Sequence, residues 1–426
     1  MAAPSSEQVA DRGADHSKSK SSPVVVVLAA SWARRGEDHW AVRQVAGALA
    51  CTADVHVITL EGSRPGQRTD GVFTVHELAS ALDPRTELCR NLLITALISV
   101  AGDLLPAIDS DQWQSDHKEL GTLHGLLAGG LVDAWEPAPD VFHALDPDLV
   151  VLTDHRDIGA LSAFDNARLE VPVVLVPRVT DPQSAAFPLF EPVFERADRV
   201  LAFTETEKRA VATENEGGGQ IHGRSGHDWV QVVGLPMSTT PSVLREPPAH
   251  LCDDCRDAGG GFVLVTTGWP TDSENAETQL ARLVRLCFPT VTVAVLADDG
   301  LEISRRGRRE HHLPVERGSD LVRLIAWAKT VVDLRPGSLY ARRSIEALLY
   351  GVPVVVPAGS RAQEHAEHGG LWFESPGEIV WCVESMLDSG VRASFGEQGR
   401  RYAESRYGST DDFIDRVLSA TGLSGK

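Results

Sequence analysis

The stretch from Asp333 to Pro357, DLRPGSLYARRSIEALLYGVPVVVP, holds the side chains best placed for chemistry. A polar loop, Arg335 to Tyr340, leads into a helix expected over 341–350 that carries Glu346. The first N–H groups of a helix have no intrahelical acceptor, and the helix dipole adds positive potential there. Such a start attracts an anion of the diphosphate kind. A carboxylate on that helix accepts hydrogen bonds from hydroxyls. Arg335 lies in the loop and is positioned to grip a phosphate through two parallel N–H groups. Arg342 and Arg343 are further cations, although an exposed helix face accounts for both. Gly351 suits a helix end, and Pro353 can open the next strand without giving up a needed donor.

A second set of polar residues lies nearer the amino terminus. Asp154 and His155 follow a strand expected at 148–153, and Arg178 follows one at 171–176. Gly36 and His39 lie around the start of the first helix, and Gly268 follows a strand over 262–267. In open α/β sheets, ligands bind outside the carboxyl ends of the strands, which is where these residues fall. A buried structural role remains the alternative for each lone histidine.

Elements must position these groups, and the chain is long enough to supply them. It has 426 residues, 42% hydrophobic and 23% charged, which suits two globular domains. Val24 to Ala30 reads as a buried parallel strand, 39–50 as a helix and 54–59 as a second strand, the opening of a doubly wound sheet. The middle, 85–105 and 112–135, reads as helical. Strands follow at 148–153, 171–176, 200–203 and 230–233. A Pro- and Gly-rich stretch ends at Gly259 to Gly261, after which strands restart at 262–267, 290–296, 330–334 and 353–357. The expected division is a disordered tail (1–22), an N-terminal Rossmann-like domain (23–238), a linker (239–261), a C-terminal Rossmann-like domain (262–405) and a terminal helix (406–426).

Composition excludes several classes. A net charge of -20 disfavours non-specific binding to nucleic acid or anionic lipid. Cys252 and Cys255 form a lone CxxC without the second pair a zinc site needs, so no metal is expected. The first 22 residues lack the apolar core of a secretory signal, and no run is long enough to span a bilayer, so the expected location is the cytoplasm. Arg305, Arg306, Arg308 and Arg309 read as a solvated basic loop, and the charges of 397–406, including Arg406, as a solvated helix face.

Within 333–357, Glu346-Ala347, Gly351, Pro353 and the following valines resemble the donor-site signature of the large retaining GT-B glycosyltransferases, family 4-like. There a Glu, seven residues and a second Glu precede Ala, Gly-x-Pro and a strand. Glu364 falls where that family has a glycine-rich loop ending in Glu. Thr204 to Glu207 resembles its Ser/Thr-x-x-Glu helix start, which also reads as a capping box. The resemblance implies an α/β fold of two Rossmann-like domains facing a cleft. It implies a nucleotide-diphosphate sugar as donor and no cofactor. Its donor-binding residues would be Gly268, Arg335, Gly337, Ser338, Leu339, Tyr340 and Glu346, with Glu346 on the ribose. His155 and Arg178 would be catalytic, and Gly36, His39 and Asp154 would lie on the acceptor side. The acceptor would be a glycan, a lipid-linked glycan or a small molecule.

Two departures stand out. Ser338 replaces the first Glu, and Trp269 and Glu274 stand where the family has the Arg and Lys that clamp the diphosphate. Two functions therefore remain open. One is retaining transfer of a sugar, of the hexosyltransferase type. The other is a catalytically degenerate GT-B binding or partner subunit of a glycan-assembly complex. An epimerase would need carboxylates near the sugar, and a glycogen-type phosphorylase a cofactor lysine; neither motif is found.

Overall fold

The computed structural model describes residues 22–29, 32, 37–62, 65–79, 135, 137–154, 158–177, 191–212, 229–237, 261–268, 275–297, 300–305, 308–313, 319–335 and 340–423. The helices expected at 85–105 and over most of 112–135, the tail and most of the linker lie outside them.

Two separate sheets form. The first contains β1 (Val24–Leu28), β2 (Asp54–Gly62), β3 (Gly66–Asp70), β4 (Phe73–Ala79), β5 (Leu149–Leu152), β6 (Val173–Leu175), β7 (Arg199–Ala202) and β8 (Val230–Val232). Their order is β3-β4-β2-β1-β5-β6-β7-β8, parallel except for β3. β1 pairs on both edges, and its side chains pack alternately into two core clusters, Val25 and Val27 in one and Val26 and Leu28 in the other; burial on both faces explains the unbroken apolar run. Its helices are α1 (Glu37–Leu49), α2 (Ala138–Leu145), α3 (Ile158–Asn166), α4 (Glu191–Arg196) and α5 (Glu205–Ala212). The β3–β4 hairpin was not expected. β3, GQRTD, has no apolar alternation because it is an edge strand, held by Arg68 on Glu77 and turned by Gly71 at φ 65°.

The second sheet contains β9 (Phe262–Thr266), β10 (Val293–Ala297), β11 (Gly300–Arg305), β12 (Arg308–Leu313), β13 (Ala328–Asp333), β14 (Val354–Pro357) and β15 (Gly370–Phe373). The order is β12-β11-β10-β9-β13-β14-β15. Its helices are α6 (Ala276–Cys287), α7 (Ser319–Trp327), α8 (Arg342–Leu349), α9 (Gln363–Gly369), α10 (Pro376–Leu387) and α11 (Ser389–Tyr407). Of the arginines expected in a loop, Arg306 lies outside the described residues, while Arg305, Arg308 and Arg309 lie instead in the strands of the antiparallel β11–β12 hairpin. The register Ala297↔Gly300 and Val293↔Ser304 puts its turn at the amino end of β10, opposite the carboxyl edge where ligands would bind.

The final helix, α12 (Thr410–Thr421), packs against α1 and β7 of the first half. Arg416 Nε donates to Val233 O at 2.8 Å, and the N–H of Met237 to Tyr407 O at 2.9 Å. One apolar cluster runs continuously from Val25 and Phe203 through Tyr340 and Phe413 to Leu264. Arg406, exposed as expected, also pairs with Glu205 across the halves at 2.8 Å.

Among the described residues, no helix is long and apolar enough to cross a membrane.

Candidate functional site

In each sheet the strand order reverses once, between β1 and β5 and between β9 and β13. In open α/β sheets the carboxyl ends at such a reversal are where ligands bind. At the first reversal Thr153 Oγ1 donates to Leu28 O at 2.8 Å, and half-buried Asp154 follows it. This is the only residue of the expected acceptor-side and catalytic set whose side chain is described. Gly36, His155 and Arg178 lie outside the described residues; His39 falls in α1, its side chain outside them.

The second reversal is better defined. Asp333 ends β13 with its carboxylate buried. Thr266 Oγ1 donates to it at 2.8 Å, Ser344 Oγ at 3.0 Å, and Arg335 through Nε at 3.0 Å and Nη2 at 3.2 Å. Burial opposes ionisation here. The Arg335 charge and the bonds from Arg335, Thr266 and Ser344 outweigh it and hold the carboxyl below its usual value. Arg335, expected to reach out to a phosphate, therefore has one edge of its guanidinium on Asp333. Gly268 is likewise engaged within the protein. Its N–H donates to Glu277 Oε2 at 2.8 Å, a buried carboxylate in the first turn of α6. Asn275 starts that helix with a reciprocal cap to Thr278.

Helix α8 carries the expected carboxylate. Its N-cap is Ala341, at φ 48° and ψ 40°, with no side-chain cap and no acidic residue in the first turn. A left-handed non-glycine residue costs about 1–2 kcal/mol. No side chain of the helix itself caps this positive end, and the anion nearest to it is Asp333, which Ser344 in the first turn contacts. The other end closes as expected: Gly351 adopts φ 72°, with Gly351 N–H on Leu348 O at 2.9 Å and Val352 N–H on Ala347 O at 2.9 Å. Glu346 is 6% exposed. Arg342 Nε donates to its Oε1 at 2.8 Å, while Oε2 is buried without a hydrogen-bond partner among the described residues. The Arg342 guanidinium lies 4.5 Å from the Trp40 ring centre, so α1 of the first half meets the start of α8. Arg342 thus bridges the halves, in place of the exposed helix face.

The Tyr340 side chain is turned inward. Expected to face a donor, it is 1% exposed, and its ring packs edge-on against Phe203 at 4.8 Å. Gly337, Ser338 and Leu339, with Trp269 and Glu274, lie outside the described residues. At Thr204 the Glu207 N–H donates to Thr204 Oγ1 at 3.0 Å, as a capping box requires, while Glu207 Oε2 accepts from the N–H of Phe203, the residue before the cap, at 2.7 Å. Glu364 is not in a loop facing a ligand. It starts α9, and its carboxylate accepts from the Glu205 and Thr206 N–H groups. Sequence reading missed Glu277, Asp333 and Trp40. The Asn275-x-x-Thr278 pattern signals the helix start that brings Glu277 to Gly268, whereas no local signal pairs Trp40 with Arg342.

Among the described residues, no group of three or more His, Cys, Asp or Glu is arranged to hold a metal ion. No protein-family model and no curated protein matches the chain. Solved structures do. Anabaena HepE in complex with UDP and glucose is 16% identical, over 94% of this chain and 99% of that one, with a TM-score of 0.55. Sucrose-phosphate synthase from Thermosynechococcus elongatus is 13% identical, over 94% and 98%, with a TM-score of 0.59. The lipopolysaccharide outer core galactosyltransferase WaaB is 12% identical, over 93% and 99%, with a TM-score of 0.58. At these identities the likeness establishes the fold, which is GT-B: two α/β domains built on mainly parallel sheets.

Proposed function

We propose that this GT-B chain is a glycosyltransferase, of the hexosyltransferase type, that takes a nucleotide-sugar donor at the start of α8 and transfers the sugar with retention. The observation that carries the reading is Glu346. One carboxylate oxygen is fixed by Arg342, and the other is buried without a partner among the described residues. An unmet buried acceptor costs about 1–3 kcal/mol, which a donated ribose hydroxyl offsets. The uncapped start of α8 supplies the complementary attraction for a diphosphate. HepE, similar in fold, is solved with UDP-glucose, which supports a donor of that class.

In this reading Glu346 holds the ribose, and backbone groups of 337–340 meet the diphosphate. The helix dipole stabilises the charge that grows on the leaving group. The Asp333 carboxylate opposes the Arg335 cation, so the dipole carries more of that task. His155 orients an acceptor hydroxyl, Arg178 shares the catalytic role, and Gly36, His39 and Asp154 serve the acceptor side. The acceptor is a glycan, a lipid-linked glycan or a small molecule. No metal or other cofactor takes part.

A second reading, a catalytically degenerate binding subunit of a glycan-assembly complex, is favoured by two contacts. Asp333 engages Arg335, and Glu277 occupies the Gly268 amide. A thermal-shift screen of UDP, GDP, ADP and their sugars, joined to a turnover assay, separates the readings. Transferase activity requires a shift and donor consumption with one nucleotide class. A shift without turnover across the panel supports the second reading, and no shift at all sinks both.

A further inference from the structure

Helix α5 begins at the carboxyl end of β7, in the first half of the molecule. The N–H of Glu207, the third residue of the helix, is met locally by Thr204 Oγ1. The two before it are met from the other half. The Glu205 N–H donates to Glu364 Oε1 at 3.1 Å and the Thr206 N–H to Glu364 Oε2 at 2.8 Å. Glu364 belongs to the second half and is 7% exposed. Both its oxygens are thus spent on a helix start of the other half, where the dipole favours an anion. Tyr402 Oη lies 3.5 Å from Oε1 and 3.2 Å from His365 Nδ1, bracing the carboxylate from below. No Lys or Arg pairs with Glu364 among the described residues.

The location matters. Glu364 stands one residue inside α9, which the 358–362 turn joins to the carboxyl end of β14. β14 is the neighbour of β13, whose end holds Asp333. The carboxyl edge at the second reversal is thereby tied to the first half.

We propose that Glu364 is an interdomain latch: its carboxylate completes the start of α5 and fixes the separation of the two halves. Separation exposes two N–H groups and a carboxylate that are fully bonded only in the joined state. Because the carboxylate is ionised in this setting, each bond is of the stronger, charge-assisted kind. Glu364 is a positioning residue, and the latch stands whether or not the chain transfers sugar. In the transfer reading it sets the distance across which donor and acceptor meet.

Hydrogen exchange on the full chain, with no ligand, reads the latch directly. The Glu205 and Thr206 amides have no intrahelical acceptor, so their protection reports Glu364. Glu364→Ala is expected to lower protection at 205 and 206 by about ten- to hundredfold. Val211, deeper in α5, should keep its protection, and the small-angle scattering curve should broaden. Glu364→Gln, keeping one carbonyl oxygen, should fall between. A folded Glu364→Ala variant with unchanged protection overturns the proposal. Should that variant fail to fold, Glu205→Pro tests the same bond. Proline suits the first helical position, so it favours α5 while deleting one latch donor. Widened scattering supports the latch and an unchanged curve overturns it. Arg406→Ala, removing only the half-exposed pair to Glu205, is the control and should change either readout less than twofold.

Discussion

Asp333 and Arg335, two residues apart at the end of β13, hold each other edge to edge, Nε to Oδ1 and Nη2 to Oδ2. The ion pair ties the strand end together, and Ser344 extends it to the first turn of α8. Removing one member leaves the other charge in a site shielded from water. Asp333→Ala is therefore expected to cost about 3–5 kcal/mol, read as a lowered urea midpoint. A loss below about 1 kcal/mol would show that the pair contributes little.

The same carboxylate predicts a pH profile. Its folded pKa lies below the ordinary 3.8. The unfolded chain thus binds the proton more readily. The stabilisation is fully present above the ordinary carboxylate range and is lost as pH falls through the folded pKa. Urea melts of wild type and Asp333→Asn should differ by a constant amount near neutrality. The gap should close only in strong acid. A gap that closes near pH 6 would assign the effect to a different group.

Trp40 and Arg342 form the second bridge between the halves. Arg342 is about a third exposed, so solvent discounts the contact. A double-mutant cycle of Trp40→Leu and Arg342→Ala should return a coupling of about 0.5–1 kcal/mol. Arg342→Lys should recover less than half of it, because an ammonium lacks the flat face and the Nε donor to Glu346. Additive single mutants would contradict the bridge.

Close packing of α11 on α8 and α9 rests on glycine. A Cβ at Gly399 would meet Leu348 Cδ2 at 2.6 Å and the Gly369 Cα at 2.9 Å, whereas one at Gly377 meets nothing within 4 Å. Gly399→Ala should destabilise by about 1–3 kcal/mol through overpacking. Gly377→Ala should be neutral or stabilise by up to about 1 kcal/mol. Equal midpoints for the two variants would remove the packing argument.

The buried strands were legible because residues shielded on both faces must be apolar, as in Val24 to Leu28. So was the end of α8, where Gly351 must take a positive φ. The polar edge hairpins β3–β4 and β11–β12 left no such trace, since an edge strand needs no apolar alternation. Within the site, Glu346 was legible from its helix and the Gly-x-Pro turn behind it. The fate of Arg335 was not: a loop arginine looks the same whether it faces a phosphate or folds back on Asp333. Glu364 was singled out without its role, because its partners are backbone amides 158 and 159 residues away.

The central claim is that Glu346 Oε2 awaits a hydroxyl donor. Calorimetric titration of wild type and Glu346→Ala with the nucleotide giving the largest thermal shift tests it most directly. A hydrogen bond to a charged group contributes about 1.5–3 kcal/mol, so the variant should bind at least tenfold more weakly while its unfolding midpoint stays close to wild type. Equal affinity in a folded variant would contradict the account and place the nucleotide, if bound, elsewhere in the molecule.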